Sequence, residues 1–195
     1  MTVLLVGVGL LAATFFFFMA IYNGLVTSRN QVKNAFAQID VQLKRRYDLI
    51  PNLVEVAKKY MAHESDTFEK VVKARNAAIS SQKEVLADPS DGDAMAKLNK
   101  SEGQMSGALS RLLMLTENYP ELKADGTMNK LTEELTSTEN KVGFARQFYN
   151  DSVLAYNNRR EVFPSSIIAG MFNFKASVYF EIENAEEKEA VKVQF

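Results

Sequence analysis

The chain has 195 residues, the size of one domain or of two small domains, and is long enough to bury a hydrophobic core without disulfide or metal cross-links. It contains no cysteine, which excludes disulfide bonds and thiolate metal sites. Its 23 Lys and Arg balance 24 Asp and Glu, so the composition lacks the basic excess expected of a protein that binds nucleic acid. The charges are unevenly placed, because the first charged side chain in the sequence is Arg29.

Residues 3–22 form an apolar run in which Thr14 is the one polar side chain before the terminal Tyr22. As a helix, such a run is about 30 Å long, which matches the hydrocarbon thickness of a bilayer. A signal peptide fits less well, because no Lys or Arg precedes the run and no small-x-small cleavage site follows it. A buried core helix seldom needs to be apolar on every face. We therefore expect residues 1–26 to be a single transmembrane anchor.

The residues after the apolar run predict an orientation in the membrane. Residues 29–46 carry five basic side chains against one acid, Asp40. The positive-inside bias then places the main domain in the cytoplasm and the N-terminus outside. The alternative is that these charges form a solvated helix face.

Turn signals divide the rest of the chain. Residues 88–92 and 119–126 concentrate Pro, Gly, Asp and Ser, and they separate three segments with helical periodicity, 28–87, 93–118 and 127–162. Short connections make neighbouring helices antiparallel. The fold class predicted is all-α, with the transmembrane helix continuing into a long-helix antiparallel bundle over residues 27–163 with coiled-coil-like packing.

Apolar positions with alternating three-four spacing predict the seam along which the helices pack. In the first segment they continue in phase across Pro51, which favours one kinked helix over two separate ones. The predicted seam positions are Phe36, Ile39, Leu43, Arg46, Ile50, Leu53, Ala57 and Tyr60 in the first segment, Leu98, Met105, Leu109 and Leu112 in the second, and Leu131, Leu135, Thr138, Val142, Ala145, Tyr149, Ser152 and Tyr156 in the third.

Several strings of residues resemble the LemA family. They are Tyr22-Asn23-x-Leu25-Val26, Arg29-Asn30-x-Val32, Ile39-Asp40-Val41-Gln42-Leu43-Lys44-Arg45-Arg46, Asp48-Leu49-Ile50-Pro51-Asn52-Leu53-Val54, Glu117-Asn118-Tyr119-Pro120-Glu121-Leu122-Lys123, Ala145-Arg146-Gln147-x-Tyr149-Asn150 and Tyr156-Asn157. The resemblance covers nearly the whole chain from the apolar run to Phe180. It implies a bacterial inner-membrane protein with one N-terminal span and a helical domain, and it brings no catalytic site to carry over.

A search for catalytic and metal-binding residues gives none, and we expect no enzyme, no cofactor and no small-molecule substrate. His63 precedes Glu64, but a zinc-protease helix needs a second histidine where Thr67 stands. A di-iron site needs two histidines as well. We expect His63 to be a surface residue on a helix. Gly103 and Gly107 form a small-x-x-x-small step without a preceding strand, which permits close helix approach or is merely tolerated.

Two polar groups allow competing interpretations. Arg46 on the seam is either buried and paired with an acid such as Glu139 or extends to solvent at the edge of the seam, and we expect the pairing. The last long segment carries a set of planar hydrogen-bonding groups that either recognise a ligand or satisfy one another and the loop at Tyr119-Pro120. We expect the second use for this set, which comprises Arg146, Tyr149, Asn150 and Asn157.

The C-terminal part changes character. Residues 164–182 are apolar but too short to span a bilayer, so they fold back on the bundle, lie in the membrane interface or join subunits. Residues 183–195 are rich in acids and predict a mobile tail.

The function expected is a membrane-anchored helical protein that self-associates into a lipid-bound scaffold. Its partners are the lipid bilayer and further copies of the chain in a cyclic assembly, and no nucleic acid. The surfaces considered for self-association are the seam from Phe36 to Tyr60 and the apolar residues 167–174. The alternative is a membrane-tethered adaptor or sensor that binds a separate protein.

Overall fold

The computed structural model describes residues 1–181, apart from the side chain of Val3. Over these residues the chain is built from helices without any strand, which confirms the all-α prediction. The tail predicted for residues 183–195 lies outside the described residues. The helices are α1 (Thr2–Lys58), α2 (Ser65–Ala87), α3 (Gly92–Thr116), α4 (Pro120–Lys123), α5 (Gly126–Glu161) and α6 (Ser165–Met171).

Helix α1 runs without interruption from the apolar N-terminal residues into the bundle. Its 57 residues make it about 85 Å long. The side chains of residues 4–20 are exposed, packing against the rest of the chain begins at Ile21 and Tyr22, which are partly buried, and Leu25 is the first fully buried residue. The apolar N-terminal segment of α1 is therefore long enough to cross a bilayer, and its residues 4–20 are not covered by the rest of the described chain.

Helices α1 and α5 are the longest pair in the bundle and run antiparallel. As the residue number rises along α1 it falls along α5 at each contact between them. These contacts are Ser28 with Arg159, Phe36 with Tyr149, Arg46 with Glu139, and Tyr60 with Asp125 just before α5 begins. At the end nearest the apolar segment, the Arg159 guanidinium lies against Gly24, where a Cβ atom would collide with it.

Helices α2 and α3 form an antiparallel hairpin that packs beside this pair. The predicted turn at residues 88–92 joins them, and Asp91 caps α3 by accepting from the backbone N–H groups of Asp93 and Ala94. The second predicted turn contains the short helix α4 and ends at Asp125, the cap of α5. The four long helices thus alternate in direction along the chain.

The prediction of one helical segment over residues 28–87 is wrong at residues 59–64, where α1 ends and the chain turns into α2. Met61 in this turn is fully buried, and the hydroxyl of Tyr60 donates to Asp125. These contacts hold the turn against the start of α5, at the end of the bundle away from the apolar N-terminal segment. His63 is exposed, as expected, but it lies in this turn, whereas the prediction had placed it on a helix.

The prediction that one helix continues through Pro51 is confirmed, because Pro51 lies inside α1. Proline has no N–H to bond the carbonyl of Tyr47 four residues earlier. In the fold, Nε of Arg75 on α2 donates a 2.6 Å hydrogen bond to that carbonyl. A donor from a neighbouring helix therefore replaces the missing backbone bond.

The predicted seams form the interior of the bundle. From Phe36 to Ala57 each seam position of α1 is buried, as are the four positions of α3. The α5 seam needs one correction: Val153, and not Ser152, is buried between Tyr149 and Tyr156. Gly107 faces open space, so no close helix approach explains it.

Candidate functional site

Arg46 is the centre of a buried polar cluster where α1, α3 and α5 meet. Its Nη1 lies 3.1 Å from Oε2 of Glu102, and its Nη2 lies 2.8 Å from Oε2 of Glu139. Nη2 also donates a 2.8 Å hydrogen bond to the hydroxyl of Ser106. The side chains of Arg46 and Glu102 are 2% and 0% exposed, whereas Glu139 is 46% exposed. The predicted pairing of Arg46 with Glu139 is confirmed, and Glu102 is its fully enclosed partner.

The second oxygen of Glu102 accepts a hydrogen bond from the phenol of Tyr47. Burial raises the pKa of Glu102 above its ordinary value, against the opposing effect of Arg46 and Tyr47. Burial, followed by the negative charge of Glu102, also raises the pKa of Tyr47, so its hydroxyl remains a donor. Each Glu102 oxygen thus has a partner on α1. The cluster joins α1 to α3 through charge-assisted hydrogen bonds shielded from water.

Glu102 was missed by the sequence analysis, although the pattern contains a signal for it. The seam of α3 steps from Leu98 to Met105, and Glu102 occupies the intervening three-four position. Arg46 occupies the same kind of position on α1. Two opposite charges on the seams of different helices are a pattern from which a buried ion pair can be predicted.

A second polar arrangement lies on α5 and holds the chain after α6. Asn157 forms two hydrogen bonds with the backbone of Ser177, accepting from its N–H at 3.0 Å and donating to its carbonyl at 2.9 Å. Asn150 does the same with Phe180 at 2.9 Å and 3.1 Å. Each asparagine amide therefore pairs with a backbone residue as a neighbouring β-strand would.

Two tyrosines complete this clamp, which we define as Tyr149, Asn150, Tyr156 and Asn157. Each phenol donates a 2.8 Å hydrogen bond, from Tyr149 to the carbonyl of Val178 and from Tyr156 to that of Lys175. Burial raises the pKa of Tyr149 above its ordinary value, so this phenol stays protonated and keeps its donor.

The spacing of the clamp follows from backbone geometry. Asn150 and Asn157 are seven residues apart, which is about 10.5 Å along a helix. Ser177 and Phe180 are three residues apart, which is about 10 Å in an extended chain. An extended segment running antiparallel to α5 therefore meets both asparagines in register.

The expected partners of the clamp residues were wrong. Its tyrosines and asparagines do not satisfy one another or the Tyr119-Pro120 loop, and they bind residues 175–180 instead. Phe174 and Phe180 are buried on the bundle, so this part of the C-terminal segment folds back on its own chain. The clamp residues and the residues they bind are 19 to 30 positions apart in sequence, a relationship that no local pattern reveals.

The described residues contain no group of three or more His, Asp or Glu side chains placed to hold a metal ion. The charged residues buried at the centre of the bundle bind one another. Features open to a partner are therefore found on the surface, where several large apolar side chains are exposed.

Residues 35–195 of the chain match the LemA family. The chain belongs to the LemA family. Most of the strings on which the resemblance was based fall within this match, and the two that precede residue 35 lie outside it.

The chain is also similar to magnetosome proteins. It is 26% identical over 188 residues to the magnetosome protein MamQ of Magnetospirillum gryphiswaldense, an alignment that covers 89% of this chain and 69% of MamQ. It is 23% identical over 191 residues to each of the magnetosome proteins MamQ 1 and MamQ 2 of Paramagnetospirillum magneticum, with the same coverage of 89% and 69%.

The LemA strings contain Arg46, the centre of the first polar arrangement, and all four residues of the clamp. One string carries Arg46 and the next carries Pro51, whose missing N–H is compensated by Arg75. The last two strings carry the tyrosines and asparagines of the clamp. In this LemA-family chain these residues hold helices and the C-terminal segment together.

Proposed function

We propose that this chain is a membrane-anchored, non-enzymatic protein that self-associates into a lipid-bound scaffold. Residues 3–22 form the anchor, and their exposed apolar side chains support insertion into a bilayer. An anchor confines all copies to two dimensions, which raises the effective concentration for weak contacts between them. The similarity to proteins named for the magnetosome supports a role as a component of a larger cellular structure.

The observation that carries the proposal is an exposed apolar surface where α1 and α5 meet. We define this lateral surface by Ala37 and Val41 on α1 and Phe144 and Phe148 on α5, which line one groove. Phe144 is 73% exposed, Val41 61% and Phe148 50%. Large aromatic side chains contribute strongly to binding when another protein covers them. Clustered exposure of this kind marks an interaction surface more often than scattered apolar residues do.

A buried polar atom adds to the case for a partner at the lateral surface. Gln42 also lines the groove, and its Oε1 is buried without a hydrogen-bond partner among the described residues. An unpaired buried acceptor costs free energy. A donor from a second copy seated in the groove would satisfy it.

The seam of α1 from Phe36 to Ala57 is excluded as the contact between copies. These residues are buried within the chain itself, mainly by α5 and the hairpin. The lateral surface takes the place of the seam in the proposal. Because identical anchors all point the same way across the membrane, a closed assembly has rotational symmetry about the membrane normal.

The proposed orientation has the N-terminus outside and the bundle in the cytoplasm of a bacterial inner membrane. The basic residues after the anchor support it through the positive-inside bias. A reporter that is active only in the cytoplasm, fused after Phe195, should then be active. Activity of an export-dependent reporter at the same position would overturn this orientation.

The test of self-association is the mass of the full chain in mild detergent. The wild type should form a particle of several chains, and Phe144→Ser with Phe148→Ser should shift it towards a single chain. Met114→Ser is the matched control, because Met114 is equally exposed but lies at the far end of α3. A wild-type particle of one chain at every concentration would overturn the scaffold proposal.

The second candidate function is a membrane-tethered adaptor or sensor, and the same lateral surface favours it. The groove would then hold an apolar helix of another protein and not a second copy. Single-chain particles of the wild type would favour this candidate.

A further inference from the structure

The turn between α5 and the clamped segment forms an exposed apolar surface. We define this surface, the foot, as residues 162–174. Its exposed members include Phe163 at 80%, Met171 at 72% and Phe172 at 58%. Val162 and Ile167 are also more than half exposed. Beneath them, Ile168 and Ala169 are buried on the bundle, so the foot has one face on the protein and one face free.

The foot lies where the anchor ends. The ring of Phe172 is 4.8 Å from the ring of Tyr22, and that of Phe174 is 5.7 Å from it. Tyr22 is the last residue of the apolar run. The foot is therefore at the height at which α1 leaves the hydrocarbon region and enters the headgroup region.

We propose that the foot inserts its free apolar face into the interface of the bilayer that the anchor crosses. This inference rests on the membrane anchoring of the proposed function. Five large apolar side chains clustered beside a membrane-spanning segment are unfavourable in water and favourable at the boundary between headgroups and acyl chains. The contact between Phe172 and Tyr22 makes the foot continuous with the lipid-facing surface of the anchor.

The charges around the foot fit a phosphate-rich surface. Arg29, Arg159 and Arg160 lie at this end of the bundle together with two acids: Glu161 is bound to Arg160 at 2.6 Å, and Asp88 lines a pocket with Arg29 and Lys175. The guanidinium of Arg29 lies over the ring of Phe174, 5.0 Å from its centroid. Arg29 thus spans from the base of the foot to the surrounding solvent, where headgroup phosphates would lie. Arginine binds phosphate through several donors at once.

A foot in the membrane gives the bundle a second point of attachment. One helix alone leaves a domain free to tilt and rotate on its anchor. The foot is reached from the end of α5, so α1 and α5 would both be fixed relative to the bilayer. The lateral surface defined above is formed by these two helices, and it would be held at a constant height in every copy.

The test uses the absence of tryptophan from the chain, which lets one introduced tryptophan report on its surroundings. Full-length chains with Ile167→Trp or Phe172→Trp are reconstituted into vesicles of phosphatidylcholine and phosphatidylglycerol. Their emission is measured with lipids brominated on the upper part of the acyl chains. Met114→Trp is the control for an exposed site far from the membrane, and Phe16→Trp reports whether the anchor is inserted.

We expect the two foot tryptophans to lose most of their emission to the brominated lipids and Met114→Trp to lose none. Foot tryptophans that respond like Met114→Trp, while Phe16→Trp is quenched, would refute insertion of the foot and leave the anchor intact. Blue-shifted but unquenched foot tryptophans would show a protein contact in place of lipid. An unquenched Phe16→Trp would instead refute the membrane anchoring on which the inference rests.

Discussion

The carbonyl oxygen of Tyr47 accepts a 2.6 Å hydrogen bond from Nε of Arg75, and this bond replaces the one that Pro51 cannot make. Without this side-chain bond, the Tyr47 carbonyl would lack a hydrogen-bond donor in the middle of a packed helix. Arg75 lies on α2, so the substitute bond also ties the hairpin to α1. At Pro51, a hydrogen bond that would normally lie within α1 is therefore replaced by one between α1 and α2.

Arg75→Ala should destabilise the bundle by about 1–2 kcal/mol, because it leaves a partly buried carbonyl unpaired. In a Pro51→Ala background the backbone N–H at position 51 binds that carbonyl, so the same change should cost clearly less. Pro51→Ala alone should preserve the helical ellipticity. The measurement is a double-mutant cycle on the free energy of unfolding in detergent.

Arg111→Ala, at an exposed position on α3, controls for the loss of an arginine. Equal costs of Arg75→Ala in both backgrounds would show that the two residues are not coupled. A large loss of ellipticity in Pro51→Ala would contradict a continuous α1.

The helix boundaries show what could be predicted from the sequence. The turns at 88–92 and 119–126 contain Pro or Gly and were predicted correctly. The turn at residues 59–64 has neither, and its sequence is compatible with a helix. The chain turns there because burial of Met61 and the bond from Tyr60 to Asp125 favour it. These are tertiary contacts, and no local pattern contains them.

Arg46 and Glu102 should be the most sensitive pair of charged residues in the bundle. Glu102→Ala leaves the buried Arg46 without its enclosed partner and should cost about 3–5 kcal/mol. Glu139→Ala should cost less than about 1 kcal/mol, since Glu139 is half exposed. The free energy of unfolding of the two variants, measured side by side, gives the comparison. Similar costs would show that Glu102 is not the principal partner.

Asp125 predicts how the end of the bundle responds to acid. Its backbone hydrogen bond from Met128, followed by the bond from Tyr60, lowers the pKa of Asp125 below its ordinary value. A carboxyl group with a lowered pKa stabilises the fold above its unfolded pKa, and this contribution is lost as the pH falls through the folded pKa. The hydrogen bond between Tyr60 and Asp125 should therefore stabilise the fold at neutral pH and weaken below about pH 4.

Tyr60→Phe removes this hydroxyl and keeps the ring, so it isolates the link to Asp125. The wild type should have a higher Tm than Tyr60→Phe at neutral pH, and the difference should shrink on acidification below about pH 4. Thermal unfolding followed by circular dichroism across this range checks the prediction. A Tm difference independent of pH would mean that the carboxylate does not contribute.

The clamp shows why the C-terminal segment could not be placed from the sequence. Asn150 and Asn157 carry amide groups of the kind that bind ligands, and the seven-residue spacing between them can be read from the sequence. Their partners are backbone groups, which every residue offers, so the sequence does not reveal which segment they bind. Matching the helical rise to the rise of an extended chain becomes informative only when both elements are known.

The last prediction is that each asparagine holds its own backbone residue. Asn157→Ala removes two hydrogen bonds to Ser177, and Asn150→Ala removes two to Phe180. At about 0.5–1.5 kcal/mol per bond, each variant should lower the cost of local opening by about 1–3 kcal/mol. Hydrogen exchange of the Ser177 amide in Asn157→Ala, and of the Phe180 amide in Asn150→Ala, should then accelerate by about tenfold for each 1.4 kcal/mol. Asn158→Ala, at an exposed neighbouring position, should leave both amides protected.

Asn157→Gln separates geometry from chemistry in the clamp. Glutamine has the same amide on a longer side chain, so it cannot pair with Ser177 while the segment stays in register with Asn150. It should therefore release Ser177 nearly as fully as alanine does, although it keeps the donor and the acceptor. If the Ser177 amide in Asn157→Gln were as protected as in the wild type, burial of Phe174 and Phe180 would be what holds the segment. The asparagine hydrogen bonds would then contribute little to its position.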